Sequence, residues 1–229
     1  MEQSLVKPRH LMAILKVTNS CNMACGYCYN SYKKNNKKII SAEETFIILE
    51  KLVNYIHSGS LHICFHGGEP LLADMNYYSS VLNSVKVFKE RDVKFNFGIQ
   101  TNGTLLTPEK IDILSSLGIN IGISLDGDEV TSRLARPFLG GHNSYYKVAA
   151  AIQALKEHHV NCGVITVVSS KNVNNLIDVF EHHKALGITK ISFNPIVLPA
   201  KTKLILLSCI LTKSPPRNQP KVGERSVIK

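Results

Sequence analysis

Short runs rich in β-branched and aromatic residues alternate along the chain with longer segments whose apolar positions recur at helical spacing. This alternation is the signature of parallel strands joined by crossover helices. Six strands are predicted: LMAILKV (11–17), LHICFH (61–66), KFNFGIQ (94–100), NIGISL (120–125), CGVITVV (162–168) and KISFNP (190–195). After the first of them, Ser41 and Glu44 form a capping box, followed by a helix in which Ile48, Leu49, Leu52, Val53 and Ile56 share one face. Thr107-Pro108 opens a second helix in the cap-plus-first-turn arrangement, and Gly118 stops it. Ser144 heads a third, YYKVAAAIQALKEHH, and NVNNLIDVFEHHKAL ends at Gly187 in the same way. The segment YYSSVLNSVKVFKE carries the weakest helical period of the set. The pattern therefore predicts an α/β fold built on a parallel barrel or sheet.

After Pro195 the alternation stops. A hydrophobic stretch, LILLSCIL (204–211), leads into SPPRNQPKVGERSVIK, which is rich in Pro and charge and reads as a disordered tail. The expected division is a core at 1–197 and a basic tail at 198–229, the tail having the look of a truncated or frame-shifted product.

Charge sharpens this picture. The formal net charge is +10, but residues 1–196 hold 20 basic and 16 acidic side chains, while the last 33 hold seven and one. The excess belongs mainly to the tail, which argues against nucleic acid as a partner of the body. KKNNKK at 33–38 reads as a solvated loop. With 44% hydrophobic residues the chain can bury a core. It lacks the long uncharged apolar run of a membrane span, and MEQSLVKPRH lacks the apolar core of a signal peptide, so a cytoplasmic location without a membrane partner is expected.

Of six cysteines, three lie within eight residues and the others at 64, 162 and 209, which is unlike a secreted disulfide framework. Cys64 and Cys162 sit in apolar strand-like runs and are expected to act as small hydrophobes. Cys21-x3-Cys25-x2-Cys28 puts three thiolates on one short loop after the first strand, where a structural zinc or ordinary iron–sulfur site would want four protein ligands. One coordination position is left open. Alternatives for the loop are a zinc knuckle completed by a distant His, or a redox switch.

Further polar motifs follow successive strands, at the end where a parallel barrel gathers its functional groups. Gly67-Gly68-Glu69-Pro70 follows the second strand, QTNG (100–103) the third and SLDG (124–127) the fourth, with Arg133 and Arg136 beyond. Asn-Gly and Asp-Gly are also common turn dipeptides, and Asp126 could simply fix its loop. The pairs His158-His159 and His182-His183 fall near helix ends, which favours the helix dipole or solvent over metal binding.

The cysteine spacing, with Tyr27 before its last member and the glycine motif about 40 residues on, resembles the radical S-adenosylmethionine (SAM) superfamily. That resemblance implies a partial (β/α)6 TIM-like barrel and a [4Fe–4S] cluster held by Cys21, Cys25 and Cys28, whose open iron binds SAM and cleaves it to a 5′-deoxyadenosyl radical. It also implies cofactor contacts from Gly67, Gly68, Glu69, Asn102, Ser124 and Arg136, with Glu69 accepting from the methionyl ammonium and Arg136 pairing with the carboxylate. From Leu15 to Ile196 the chain is similar to anaerobic sulfatase-maturating enzymes and related peptide maturases. An oxidoreductase acting on a protein or peptide substrate, fed by an external one-electron reductant, is what this implies; a radical enzyme for a small metabolite is the alternative. Two departures stand out: Asn30 occupies a position that is usually Tyr, and only Cys209 follows the barrel where auxiliary clusters would need several cysteines.

Overall fold

A computed structural model describes residues 8–30 and 38–196 of the chain. Residues 33–37 of the basic run and the predicted tail, with LILLSCIL and Cys209, lie outside the described residues.

Strands β1 (His10–Thr18), β2 (Gly59–Gly67), β3 (Val93–Thr101), β4 (Ile119–Ser124), β5 (Cys162–Val168) and β6 (Lys190–Pro195) pair in parallel and in chain order. β1 and β6 are its two edges, so the sheet is an open half-barrel. All six predicted strands are present, with ends shifted by two residues at most. Helices α1 (Ala42–Ile56), α2 (Met75–Ser84), α3 (Pro108–Ser116), α4 (Glu129–Ala135), α5 (Tyr145–Glu157) and α6 (Leu176–Ala185) fill the connections.

Local chemistry accounts for the helix ends. The capping box at the start of α1 is complete: Ser41 Oγ accepts from Glu44 N at 3.1 Å, and Glu44 accepts from Ser41 N at 2.9 Å. Thr107 accepts from Lys110 N with Pro108 in the first turn of α3. Gly118 and Gly187 follow α3 and α6 with φ of 69° and 77°, a left-handed conformation that suits glycine. α2 passes into a 3-10 turn at Val85–Phe88, which explains the weak helical period there. The sequence pattern did not reveal α4, whose seven residues are too few to show a period; Asp128 caps it by accepting from Thr131 N.

The two faces of the sheet differ. Alternate residues Leu61, Ile63 and Phe65 of β2, Ile99 of β3 and Ile121 and Ile123 of β4 face the helices and are almost wholly buried. Leu49 and Val53 of α1, Tyr78 and Val81 of α2, Ile111 and Leu114 of α3 and Leu155 of α5 complete this layer. Each such side chain contributes about 2 kcal/mol of apolar burial. The opposite, concave face carries Met12 and Ile14 of β1, each 62% exposed. Cys64 alternates with Ile63 and Phe65 and so belongs to the concave side, not to the hydrophobic layer expected for it; Cys162 does pack against the core.

His183 sits in the last turn of α6, as expected, but not in solvent. It is fully buried, with Nε2 at 2.8 Å from Thr166 Oγ1 and Nδ1 without a partner. Thr166 donates its one hydroxyl proton to Leu125 O, so His183 must donate from Nε2 and leave Nδ1 as an unpaired acceptor. Burial, helped by His182, lowers its pKa from 6.5 to about 4. As pH falls below 6.5 the unfolded chain takes up a proton that the folded chain refuses. Stability should therefore drop between pH 6.5 and 4, by about 3 kcal/mol in total. Urea unfolding across this range should show that drop, and it should shrink in His183→Gln.

Candidate active site

The C-terminal ends of the strands form one mouth, and the loop after β1 occupies it. Thr18 steadies the end of the strand, donating to Lys38 O and accepting from Ser20 N. The cysteine loop is then held from behind by residues 135–139. Met23 forms an antiparallel bridge with Phe138, Ala24 N donates to Pro137 O at 2.8 Å, and Gly26 N donates to Ala135 O at 3.3 Å. A turn in which Cys28 N donates to Cys25 O brings the last two cysteines around. Cys21 and Cys25 are half-buried and Cys28 is exposed, and all three border a cavity of about 380 Å³.

Burial pushes the Cys21 thiol up to about 11, although Met23 N and Asn102 Nδ2 donate toward its sulfur, and burial raises Cys25 as well. Metal binding at this loop must therefore displace protons. Among the described residues no three His, Cys, Asp or Glu side chains stand close enough to share one ion. A cluster distributes its thiolates over different irons, so its ligands need only edge a common cavity.

The glycine motif packs directly behind this loop. Gly68 N donates to Thr18 O at 2.7 Å and Glu69 N to Ser20 O at 2.8 Å. A Cβ on Gly68 would lie 1.9 Å from Ser20 O, and one on Gly67, whose φ is 120°, would lie 2.3 Å from Thr18 O. Both positions exclude a side chain because the backbone of the cysteine loop already fills that space. Gly67 and Gly68 also form part of the cavity wall.

Glu69 is placed differently from the other expected site residues. It is wholly buried beneath the wall, where Oε1 accepts from Thr101 Oγ1 at 2.6 Å and Leu71 N at 3.0 Å, and Oε2 accepts from Asn102 N at 2.8 Å. Burial raises its pKa, against the pull of these donors. As placed, its carboxyl ties the β2 and β3 loops together.

Asn102, Ser124 and Arg136 do reach the wall. Asn102 donates to Asn22 Oδ1 at 2.8 Å and toward Cys21 Sγ at 3.8 Å, while its oxygen accepts from Thr104. Its amide nitrogen is thus spent on the cysteine loop and its oxygen on Thr104. Ser124 Oγ accepts from Gln100 Nε2 at 3.0 Å. Arg136 is 7% exposed; its NH1 donates to Tyr27 Oη at 2.5 Å and lies 3.9 Å from Asp126 Oδ2. Its Nε is buried and unpartnered. Ser144 heads α5 as expected, yet its hydroxyl donates to Arg136 O at 2.6 Å instead of capping the helix. Arg133, the competing arginine, is exposed.

Asp126 takes the loop-fixing role the sequence allowed for it, while other residues of the site carried no assigned role. Asp126 fixes its loop, accepting from Val167 N at 2.9 Å and from Tyr27 Oη at 2.6 Å. Gln100 and His66 border the cavity, His66 Nδ1 accepting from Gly67 N and its pKa lowered by burial. The apolar wall comes from Ile165, Val167 and Ile196. Strand alternation was the available signal, since Ile165 and Val167 share a face at the end of β5.

A buried arginine and three thiols border the same cavity, a donor set that suits a ligand joining a carboxylate to an iron–sulfur cluster. Fold and cavity together define the class: a parallel α/β half-barrel with three thiols at its C-terminal mouth. Residues 15–199 match the family model described as the Radical SAM superfamily, and the chain belongs to that superfamily. It is 33% identical over 200 residues to a serine-type anaerobic sulfatase-maturating enzyme of Bacteroides thetaiotaomicron, covering 83% of this chain and 47% of that one. It is 32% identical over 201 residues to an uncharacterised protein of Methanocaldococcus jannaschii, covering 87% and 66%. Native anSMEcpe with bound AdoMet and Cp18Cys peptide shares the fold with a TM-score of 0.76 at 24% identity, over 86% of this chain and 53% of that one. The chain thus spans about half to two thirds of the length of these relatives.

Proposed function

We propose that residues 1–197 form a radical SAM core in which Cys21, Cys25 and Cys28 hold a [4Fe–4S] cluster and the adjoining cavity binds SAM. When bound, the cluster supplies the electron that splits the sulfonium and yields a 5′-deoxyadenosyl radical. The protein's own part is to bind and orient. Arg136, which borders the cavity, turns its guanidinium to the methionyl carboxylate, and the backbone of Gly67 and Gly68 supplies acceptors for the ammonium. Asn102 and Ser124 hold the adjoining walls, and Glu69 keeps the β2 and β3 loops in register behind them. The observation that carries this reading is the conjunction of three thiols and a buried arginine along one cavity.

For the substrate we infer a side chain of a protein or ribosomal peptide, oxidised or cross-linked in the cytoplasm with an external one-electron donor. Support comes from the sulfatase-maturating relatives. Anaerobically reconstituted protein should turn brown, bind about four irons and release 5′-deoxyadenosine from SAM on reduction. Retention of zinc with no SAM cleavage would sink the proposal. Mass spectrometry of candidate peptides after turnover then tests the substrate class.

A further inference from the structure

Tyr27 lies between two cluster cysteines, but its hydroxyl serves another part of the site. It donates to Asp126 Oδ2 at 2.6 Å and accepts from Arg136 NH1 at 2.5 Å. The donor order is unambiguous, because the phenol has one proton and the carboxylate can only accept. Asp126 is itself immobilised, wholly buried with its other oxygen on Val167 N of β5. The arginine backbone is also pinned, with Arg136 N bonded to Ser132 O and Arg136 O to the Ser144 hydroxyl.

This arrangement keeps a buried cation and a buried anion from meeting directly. Arg136 NH1 and Asp126 Oδ2 are 3.9 Å apart with the phenol oxygen bonded to both, too far for a direct hydrogen bond. Opposite charges with few other partners in a poorly solvated site attract strongly, and a bidentate contact between them is the alternative resting state. In that state the guanidinium would spend its donors on Asp126. As it stands, Arg136 lines the cavity with NH1 on the phenol, and its guanidinium makes no hydrogen bond to Asp126.

We propose that the Tyr27 hydroxyl is a positioning group: it acts as a spacer that holds Arg136 off Asp126, so that the guanidinium stays available to the carboxylate of the bound cofactor. This rests on the reading of Arg136 given above. A Phe at position 27 keeps the ring and the loop but removes the spacer. The guanidinium should then close on Asp126 and turn away from the cavity.

The test uses full-length, anaerobically reconstituted protein and equilibrium binding of two probes, SAM and 5′-methylthioadenosine, which lacks the amino-acid moiety. Tyr27→Phe should raise the Kd for SAM about tenfold, the size of one lost charged hydrogen bond, and leave that for methylthioadenosine and the iron content unchanged. Arg136→Lys is the control and should also weaken SAM selectively. If Tyr27→Phe weakens both probes equally or loses iron, the hydroxyl merely supports the loop and the proposal fails. If Tyr27→Phe binds SAM normally while Arg136→Lys does not, the spacer role is wrong and the reading of Arg136 survives. If Arg136→Lys binds both probes like the unmodified protein, both ideas fall.

Discussion

Cys25→Ala is expected to strip the protein of its iron and end SAM cleavage altogether. Two thiolates cannot hold a cluster that must also keep one iron open, so the loss should be all-or-none rather than graded. Cys25 is half-buried on the inner side of the loop, at the cavity and against the segment that carries Arg136. Cys21→Ala and Cys28→Ala should behave alike, although Cys28 is exposed. Cys64→Ala and Cys162→Ala should retain about four irons per chain, because Cys64 lies lower on the concave face and Cys162 packs at the start of β5. Iron and sulfide assays with 5′-deoxyadenosine quantification would decide the matter. Iron lost from Cys64→Ala but kept by Cys25→Ala would overturn the ligand assignment.

Glu69→Ala should have the next largest effect, and chiefly on stability. The substitution leaves Thr101 Oγ1, Leu71 N and Asn102 N facing a buried void where a carboxylate held all three. With about 1–3 kcal/mol for each orphaned group, a loss of about 3–5 kcal/mol is expected. Thermal melting should move down sharply, and SAM binding should fail because the loops bearing Gly68 and Asn102 separate. Glu69→Gln keeps one strong acceptor and should lose less. A melting temperature unchanged in Glu69→Ala, with SAM affinity alone reduced, would instead mark the carboxylate as a direct cofactor ligand.

That contrast shows where sequence reading reached its limit. The fold was legible because each strand and most helices announce themselves locally: the capping box of Ser41 and Glu44, Pro108 at a helix start, Gly118 at a helix end. The site was legible as a set of motifs in the right order after successive strands. What one-dimensional spacing could not convey is which atoms a side chain has already spent. Glu69 read, through the resemblance, as an acceptor for the methionyl ammonium, and spacing gave no sign that three protein donors already bond its carboxylate. Ser144 was placed correctly at the head of α5, yet its hydroxyl serves Arg136 O. Tyr27 read as an aromatic of the cysteine loop, and nothing in the spacing reveals that it meets residues about 100 positions away. Such pairings depend on how the strand ends converge, which is a property of the folded mouth.

The backing of the cysteine loop by residues 135–139 also sets an order of events during synthesis. The three thiols leave the ribosome more than 100 residues ahead of the segment that bridges Met23 and accepts from Ala24 and Gly26. At a translation rate of about 5–20 residues per second, that is an interval of seconds in which the ligands exist without their support. Iron delivered in that interval would meet a loop with no fixed shape, whereas iron delivered afterwards meets one already held in place. On the proposed ligand assignment, the loop gains the support it has in the fold only once residues 135–139 have been made and docked, so cluster loading is expected to favour the finished half-barrel over the nascent chain.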